Sequence, residues 1–116
     1  MIGGLVALKV DPNIMAKLAG QRMSMIVTGT NGKSTTTRMA ANALRTAYTV
    51  ATNDGGDNMD AGIVSALNQD LDADAICLEV DEMHVPHVMD ALSPTVLVLL
   101  NLSRDQLDRA GEINTI

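Results

Sequence analysis

The chain has 116 residues, an apolar fraction of 47% and a formal net charge of −6, with Tyr48 as its one aromatic residue and Cys77 as its one cysteine. That length allows a single modest core, and the acidic balance argues against a general nucleic-acid or anionic-membrane surface, whose usual footprint is basic. One cysteine excludes a disulfide framework and an internal cysteine zinc site.

With Phe and Trp absent, the core must be built from Val, Ile, Leu, Met and Ala, which favours aliphatic α/β packing. Met1 to Val10 offers neither a basic leader nor an apolar run long enough to span a bilayer, so it is read as neither a signal peptide nor a membrane segment, and a cytosolic setting fits. Gly3 to Val10 has the composition of an edge strand or extended arm. Asp11 and Pro12 suit an N-cap and first helical position, followed by Ile14, Met15, Leu18 and Ala19 at helical spacing and a stop at Gly20.

Met23 to Thr28 predicts a short strand that runs directly into Thr28-Gly29-Thr30-Asn31-Gly32-Lys33-Ser34-Thr35-Thr36-Thr37. A helix is expected to leave this stretch, from about Lys33 to Thr46, with Met39, Ala40, Ala43, Leu44 and Ala47 on its packed stripe. Tyr48 to Thr52 is β-prone and gives way to Asn53-Asp54-Gly55-Gly56-Asp57-Asn58, expected to be an exposed, flexible loop. Met59, Ile63 and Leu67 then predict a helix to about Asn68. Ala73 to Val80 is a near-continuous apolar run, as in a strand buried on both faces of a parallel sheet, with Glu79 as its exception. Glu82 to Leu92 suits a short helix interrupted early by Pro86, and Thr95 to Leu100 is the clearest strand pattern of all. Strands and helices in this alternation imply βαβ crossovers and an α/β fold, a parallel sheet with helices on both faces.

Between a strand and a helix, Gly29 to Thr35 reads as a phosphate-gripping loop. Glycines let the backbone curl until its N–H groups face an anion, and the helix N-terminus adds its positive dipole end. Lys33 would reach the terminal phosphates and the Ser34 hydroxyl would ligate their magnesium. The familiar spacing G-x-x-x-x-G-K-[ST] would need glycine at position 27, which is Val27. Ligands of open parallel sheets collect at the carboxyl ends of the strands, where the Glu79-Val80-Asp81-Glu82 and Asn101-Leu102-Ser103-Arg104-Asp105 clusters also arrive. Glu79 is the first candidate for a magnesium carboxylate, because an acid ending a buried strand needs a cation or hydrogen bonds to compensate it. Asp81 and Glu82 compete for that role, as an apolar strand followed by acids would place them, and Arg104 and Arg109 lie near the same end. His84 and His87 lack a third ligand and are read as surface hydrogen-bonding groups, while Cys77 is read as core.

The run Val27 to Thr37, VTGTNGKSTTT, resembles the ATP-binding loop of the Mur ligase family, which likewise lacks the first glycine. Glu79 matches the family's magnesium glutamate. Asn101 and Asp105-Gln106-Leu107-Asp108-Arg109 match its Asn and Asp-His-Leu-Asp signature, except that Gln106 replaces the histidine, which puts a histidine-held second metal in doubt. That replacement, with Glu79-Val80-Asp81-Glu82, is similar to one amidating branch, the synthetase subunits of lipid II isoglutaminyl synthases.

The resemblance implies a partial Mur-type ATP-binding domain over 23–116, preceded by an arm and short helix over 1–22. It implies ATP and Mg2+ as cofactors, with Lys33 and Glu79 in catalysis, Gly29, Thr30, Asn31, Gly32, Lys33, Ser34, Thr35 and Asn101 around the nucleotide, and Ser34 and Glu79 on the metal. The implied activity is phosphorylation of the D-glutamate carboxyl of lipid II and amidation with ammonia from a GatD-type glutaminase partner. Such subunits continue well past this length and usually carry a four-cysteine zinc ribbon, so these residues are expected to be the N-terminal part of one. The competing readings are a folylpolyglutamate or cyanophycin synthetase-like ligase, which shares the loop, and a non-catalytic nucleotide-binding module.

Overall fold

The computed structural model describes residues 13–53 and 60–101, with 60 and 61 by their backbone alone. The expected arm over Gly3 to Val10 and the cap at Asp11-Pro12 lie outside these residues. The first helix, α1, is Ile14–Ala19, with Asn13 in the N-cap position. It buries Met15 and Ala19, four residues apart and hence on one face. Gly20 ends it at φ +59°, donating its N–H to the Ala16 carbonyl 3.1 Å away.

Four strands follow, Met23–Thr28 (β1), Val50–Thr52 (β2), Ala75–Glu79 (β3) and Val96–Leu99 (β4), all parallel and ordered β2-β3-β1-β4. Three helices connect them: Lys33–Leu44 (α2), Asp60–Gln69 (α3) and Val85–Leu92 (α4), the last preceded by a 3₁₀ turn at Glu82–His84. This is the expected α/β parallel sheet.

The strand order dictates which face each helix covers. From β1 the chain steps in one direction to β2, then returns in the other direction to β3 and onward past β1 to β4. Right-handed crossovers therefore put α2 on one face and both α3 and α4 on the other. The packing agrees, since α1 packs with α3 and α4, while α2 packs on β1, β2 and β3. Alternation along β3 serves both faces. Ile76 and Leu78 join Met15, Ile26, Ile63, Leu67 and Val88 in the larger core, whereas Ala75 and Cys77 join Ala41 and Val50 beneath α2.

Several boundaries and faces differ from the sequence expectations. The buried stripe of α2 is Thr37 and Ala41, not the predicted Met39, Ala43 and Ala47; Met39 is 66% exposed. Of the predicted stripe, Ala40 and Leu44 are partly buried against the smaller core. Thr37 can be buried because its hydroxyl donates to the Lys33 carbonyl at 2.6 Å, one turn back. Small residues at 41, 75 and 77 leave α2 close to the sheet. The stretch from Glu82 to Leu92 is divided just before Pro86, as expected, into the 3₁₀ turn and α4, and Pro86 sits in the first turn of α4, where its missing N–H costs nothing. Asn53, assigned to an exposed loop, is 5% exposed; positions 54–58 of that loop, and Met59, lie outside the described residues.

β4 is one edge of the described sheet, opposite β2. Its apolar residues stand open on both faces, with Val96 and Leu97 each 42% and Leu99 61% exposed.

Candidate functional site

The direction reversal between β1 and β3 opens a crevice at their carboxyl ends, where their connections leave for opposite faces. The loop from Gly29 to Gly32 occupies it. Gly29 has φ +140°, and a Cβ there would lie 2.6 Å from the Leu100 Cβ and 3.1 Å from the Asn101 carbonyl. The end of β4 thus presses on the loop so closely that only glycine fits. The same segment also braces it: Thr30 donates its N–H to the Asn101 carbonyl at 2.6 Å, and Asn31 to Asn101 Oδ1 at 3.3 Å. Gly32, at φ +86°, turns the chain into α2.

Strand parity decides where Glu79 points. It shares its side of β3 with Ala75 and Cys77, which face α2, and so meets the first turn of that helix. The Ser34 hydroxyl lies 2.9 and 3.1 Å from the two Glu79 carboxylate oxygens. Glu79 is 6% exposed, and its main chain is clamped by Asn53, whose Nδ2 donates to the Glu79 carbonyl and whose Oδ1 accepts from the Glu79 N–H, both at 2.8 Å. Asn53 thereby extends the β2–β3 pairing beyond the end of β2.

The acids after β3 divide their tasks. Asp81 caps the 3₁₀ turn, accepting from the Met83 N–H at 3.0 Å. Glu82 instead reaches back to the loop, with Oε1 2.8 Å from Lys33 Nζ. Lys33 Nζ also donates to the Gly29 carbonyl at 2.6 Å. The second Glu82 oxygen, Oε2, is buried and has no hydrogen-bond partner among the described residues.

The fold therefore brings Gly29, Thr30, Asn31, Gly32, Lys33, Ser34, Glu79 and Asn101 to one place, with Thr35 exposed on the first turn of α2. Arg104, Asp105, Gln106 and Arg109 lie outside the described residues. Two participants were hidden from sequence reasoning. Asn53 was masked by its polar, glycine-rich neighbours, and the pairing of Glu82 with Lys33 depends on a turn whose path no local pattern specifies. Elsewhere, a shallow cavity of about 230 Å³ lined by Thr49, Gln69, Asp70 and Asp72 opens at the amino end of the strands, away from the loop. Among the described residues no helix is long and apolar enough to cross a membrane.

The chain thus combines a parallel α/β sheet, a glycine loop at its switch point, a lysine and a serine opening α2, and a buried carboxylate opposite them. The Mur ligase middle domain matches residues 27–116. The chain is 38% identical to the MurT subunit of lipid II isoglutaminyl synthase (glutamine-hydrolyzing) from Streptococcus pneumoniae, an alignment covering 97% of this chain and 26% of that protein. It is 39% identical to the Staphylococcus aureus MurT subunit, over 96% of this chain and 26% of the relative. A UDP-N-acetylmuramoylalanine–D-glutamate ligase of Desulfotalea psychrophila is 35% identical over 79% of this chain and 20% of its own length. The chain belongs to the Mur ligase family. It spans about a quarter of the length of the MurT subunits it matches.

Proposed function

We propose that this chain forms the ATP- and magnesium-binding part of a carbon–nitrogen ligase in peptidoglycan synthesis. The observation that carries this reading is the contact of Ser34 with Glu79 beside Lys33, at the crevice of the sheet. A hydroxyl and a carboxylate are hard oxygen donors of the kind magnesium takes beside phosphates, so the residues fit the ion. When bound, the ion would neutralise charge on the phosphates during phosphoryl transfer. Ser34 and Glu79 would hold it, the loop from Gly29 to Thr35 and Asn101 would position the nucleotide, and Lys33 would stabilise charge on the terminal phosphates.

By analogy with the MurT relatives, the acceptor is the D-glutamate carboxyl of lipid II. The γ-phosphoryl group passes from ATP to that carboxylate, releasing ADP. Ammonia then attacks the acyl phosphate carbon and phosphate leaves, giving the amide. The ammonia comes from glutamine through a glutaminase subunit of the GatD type. Similarity to D-glutamate-adding ligases supports the broader ligase class, and the higher coverage by MurT subunits favours amidation within it.

The test is calorimetric titration of magnesium ATP into the chain and into Lys33→Ala. Wild-type binding weakened by about a hundredfold, a loss of roughly 3 kcal/mol, is the expected result for removing a charge-assisted contact. Equal affinities would remove Lys33 from the site. The acceptor is tested by mass spectrometry of lipid II incubated with the complete subunit, ATP and glutamine, with and without its glutaminase. Amide formation that needs no glutaminase or glutamine would overturn the partner assignment.

A further inference from the structure

The proposed phosphate-binding lysine is already engaged. Lys33 Nζ donates to the Gly29 carbonyl at 2.6 Å and pairs with Glu82 Oε1 at 2.8 Å. The Lys33 and Glu82 side chains are only 12% and 16% exposed, so solvent screens their attraction weakly. Glu82 is presented by a turn that is itself pinned: Asp81 accepts from the Met83 N–H at 3.0 Å, and the His84 N–H donates to the Asp81 carbonyl at 2.9 Å. Yet among the described residues the Glu82 carboxylate is only half satisfied, because Oε2 is buried and finds no hydrogen-bond partner there. One oxygen neutralises Lys33; the other is buried and gains no compensating hydrogen bond among the described residues, a state that favours release when a stronger anion arrives.

We infer that Glu82 is a positioning residue that acts through Lys33. Its carboxylate is the built-in counter-anion of the ligand-free loop, and a polyphosphate binds by exchanging with it. This rests on reading the loop as a phosphate site. The pairing keeps Lys33 neutralised and drawn back against Gly29 until a ligand with more negative charge than one carboxylate displaces Glu82. Weakly charged anions compete poorly for the loop, and the polyphosphate chain of a nucleotide competes well. Glu79 is not interchangeable with Glu82 in this respect, since it is occupied by Ser34 and anchored through its main chain by Asn53.

The exchange is tested with tripolyphosphate in the absence of magnesium, using the chain labelled with ¹⁵N-lysine. Glu82→Gln preserves size and a hydrogen-bond acceptor while removing the charge. It is expected to shift the Lys33 ammonium resonance of the ligand-free protein and to bind tripolyphosphate about tenfold more tightly than wild type, equivalent to about 1.4 kcal/mol. Glu82→Asp keeps the charge and is expected to remain within about twofold of wild type, a much smaller step than neutralisation. A carboxylate that only stabilised the turn would weaken binding when removed, so the gain in affinity separates the two roles. An unmoved Lys33 resonance in Glu82→Gln would overturn the pairing, and unchanged or weaker tripolyphosphate affinity would overturn the exchange. If the resonance moves but neither wild type nor variant binds tripolyphosphate, the phosphate-site reading fails and the exchange falls with it.

Discussion

Asn53 and Glu79 form a closed pair of hydrogen bonds, side-chain amide to main chain, with both N···O distances at 2.8 Å. Twenty-six residues separate them. The bracket holds the last residue of β3 as a neighbouring strand would, although β2 ends at Thr52. Glu79 can therefore point at Ser34 from a rigid main chain. Asn53→Ala would leave a buried N–H and a buried carbonyl unpaired, and is expected to cost about 2–4 kcal/mol. Urea unfolding measures this; a loss below about 0.5 kcal/mol, the scale of an ordinary surface substitution, would mean that the bracket contributes little.

Glu79 and Asp81 are separated by one residue and by function. Glu79→Gln is expected to reduce the magnesium dependence of ATP binding strongly, by on the order of tenfold or more, because it removes the charge proposed to hold the ion. Asp81→Asn should have little effect on that dependence, since Asp81 serves as a cap and asparagine caps nearly as well. Titrations of ATP with and without magnesium decide the matter. The reverse order of effects would move the metal carboxylate to Asp81.

Gly29 is predicted to be intolerant of any side chain. Alanine would combine a contact of 2.6 Å to the Leu100 Cβ with φ +140°. The strain is of the order of 1–3 kcal/mol from the backbone alone, with the steric displacement added to it. Leu100→Ala cannot relieve it, because the offending atom is Cβ and survives the substitution. Thermal unfolding of Gly29→Ala with and without Leu100→Ala should give similarly lowered midpoints. Recovery in the double variant would place the conflict elsewhere.

Arg22 provides a control far from the loop. Its guanidinium donates to the carbonyls of Leu18, Ala19, Asp70 and Ala73 at 2.6 to 3.1 Å, tying the end of α1 to the turn that precedes β3. Lysine has the charge but not the planar fork that meets several carbonyls at once. Arg22→Lys is expected to cost about 1–3 kcal/mol of stability while leaving nucleotide affinity unchanged under conditions where the protein is folded. A fall in affinity at full folding would show that the α1 clasp reaches the site.

Local chemistry was sufficient for much of this molecule. Strand β1 was bounded correctly, the starts of α2 and the stop at Gly20 followed from glycine and periodicity, and the alternation of elements carried the parallel α/β fold. The loop residues Gly29 to Ser34 were legible as a group because their spacing is local. The stripe of α2 is not legible locally because Ala and Thr are ambiguous between core and surface until a sheet is placed beneath them; Thr37 goes inward because its hydroxyl donates a hydrogen bond to a carbonyl one turn away. Asn53 carries the local signature of a loop because its partner is 26 residues distant. Sequence singles out Glu79 as the acid that ends a buried strand, whereas the separate tasks of Asp81 and Glu82 emerge only in space. Strand parity turned Glu79 toward Ser34, the 3₁₀ turn consumed Asp81, and the path of that turn carried Glu82 back to Lys33. Periodicity reports which face of an element is apolar, whereas the pairing of two charges depends on where the whole chain has brought them.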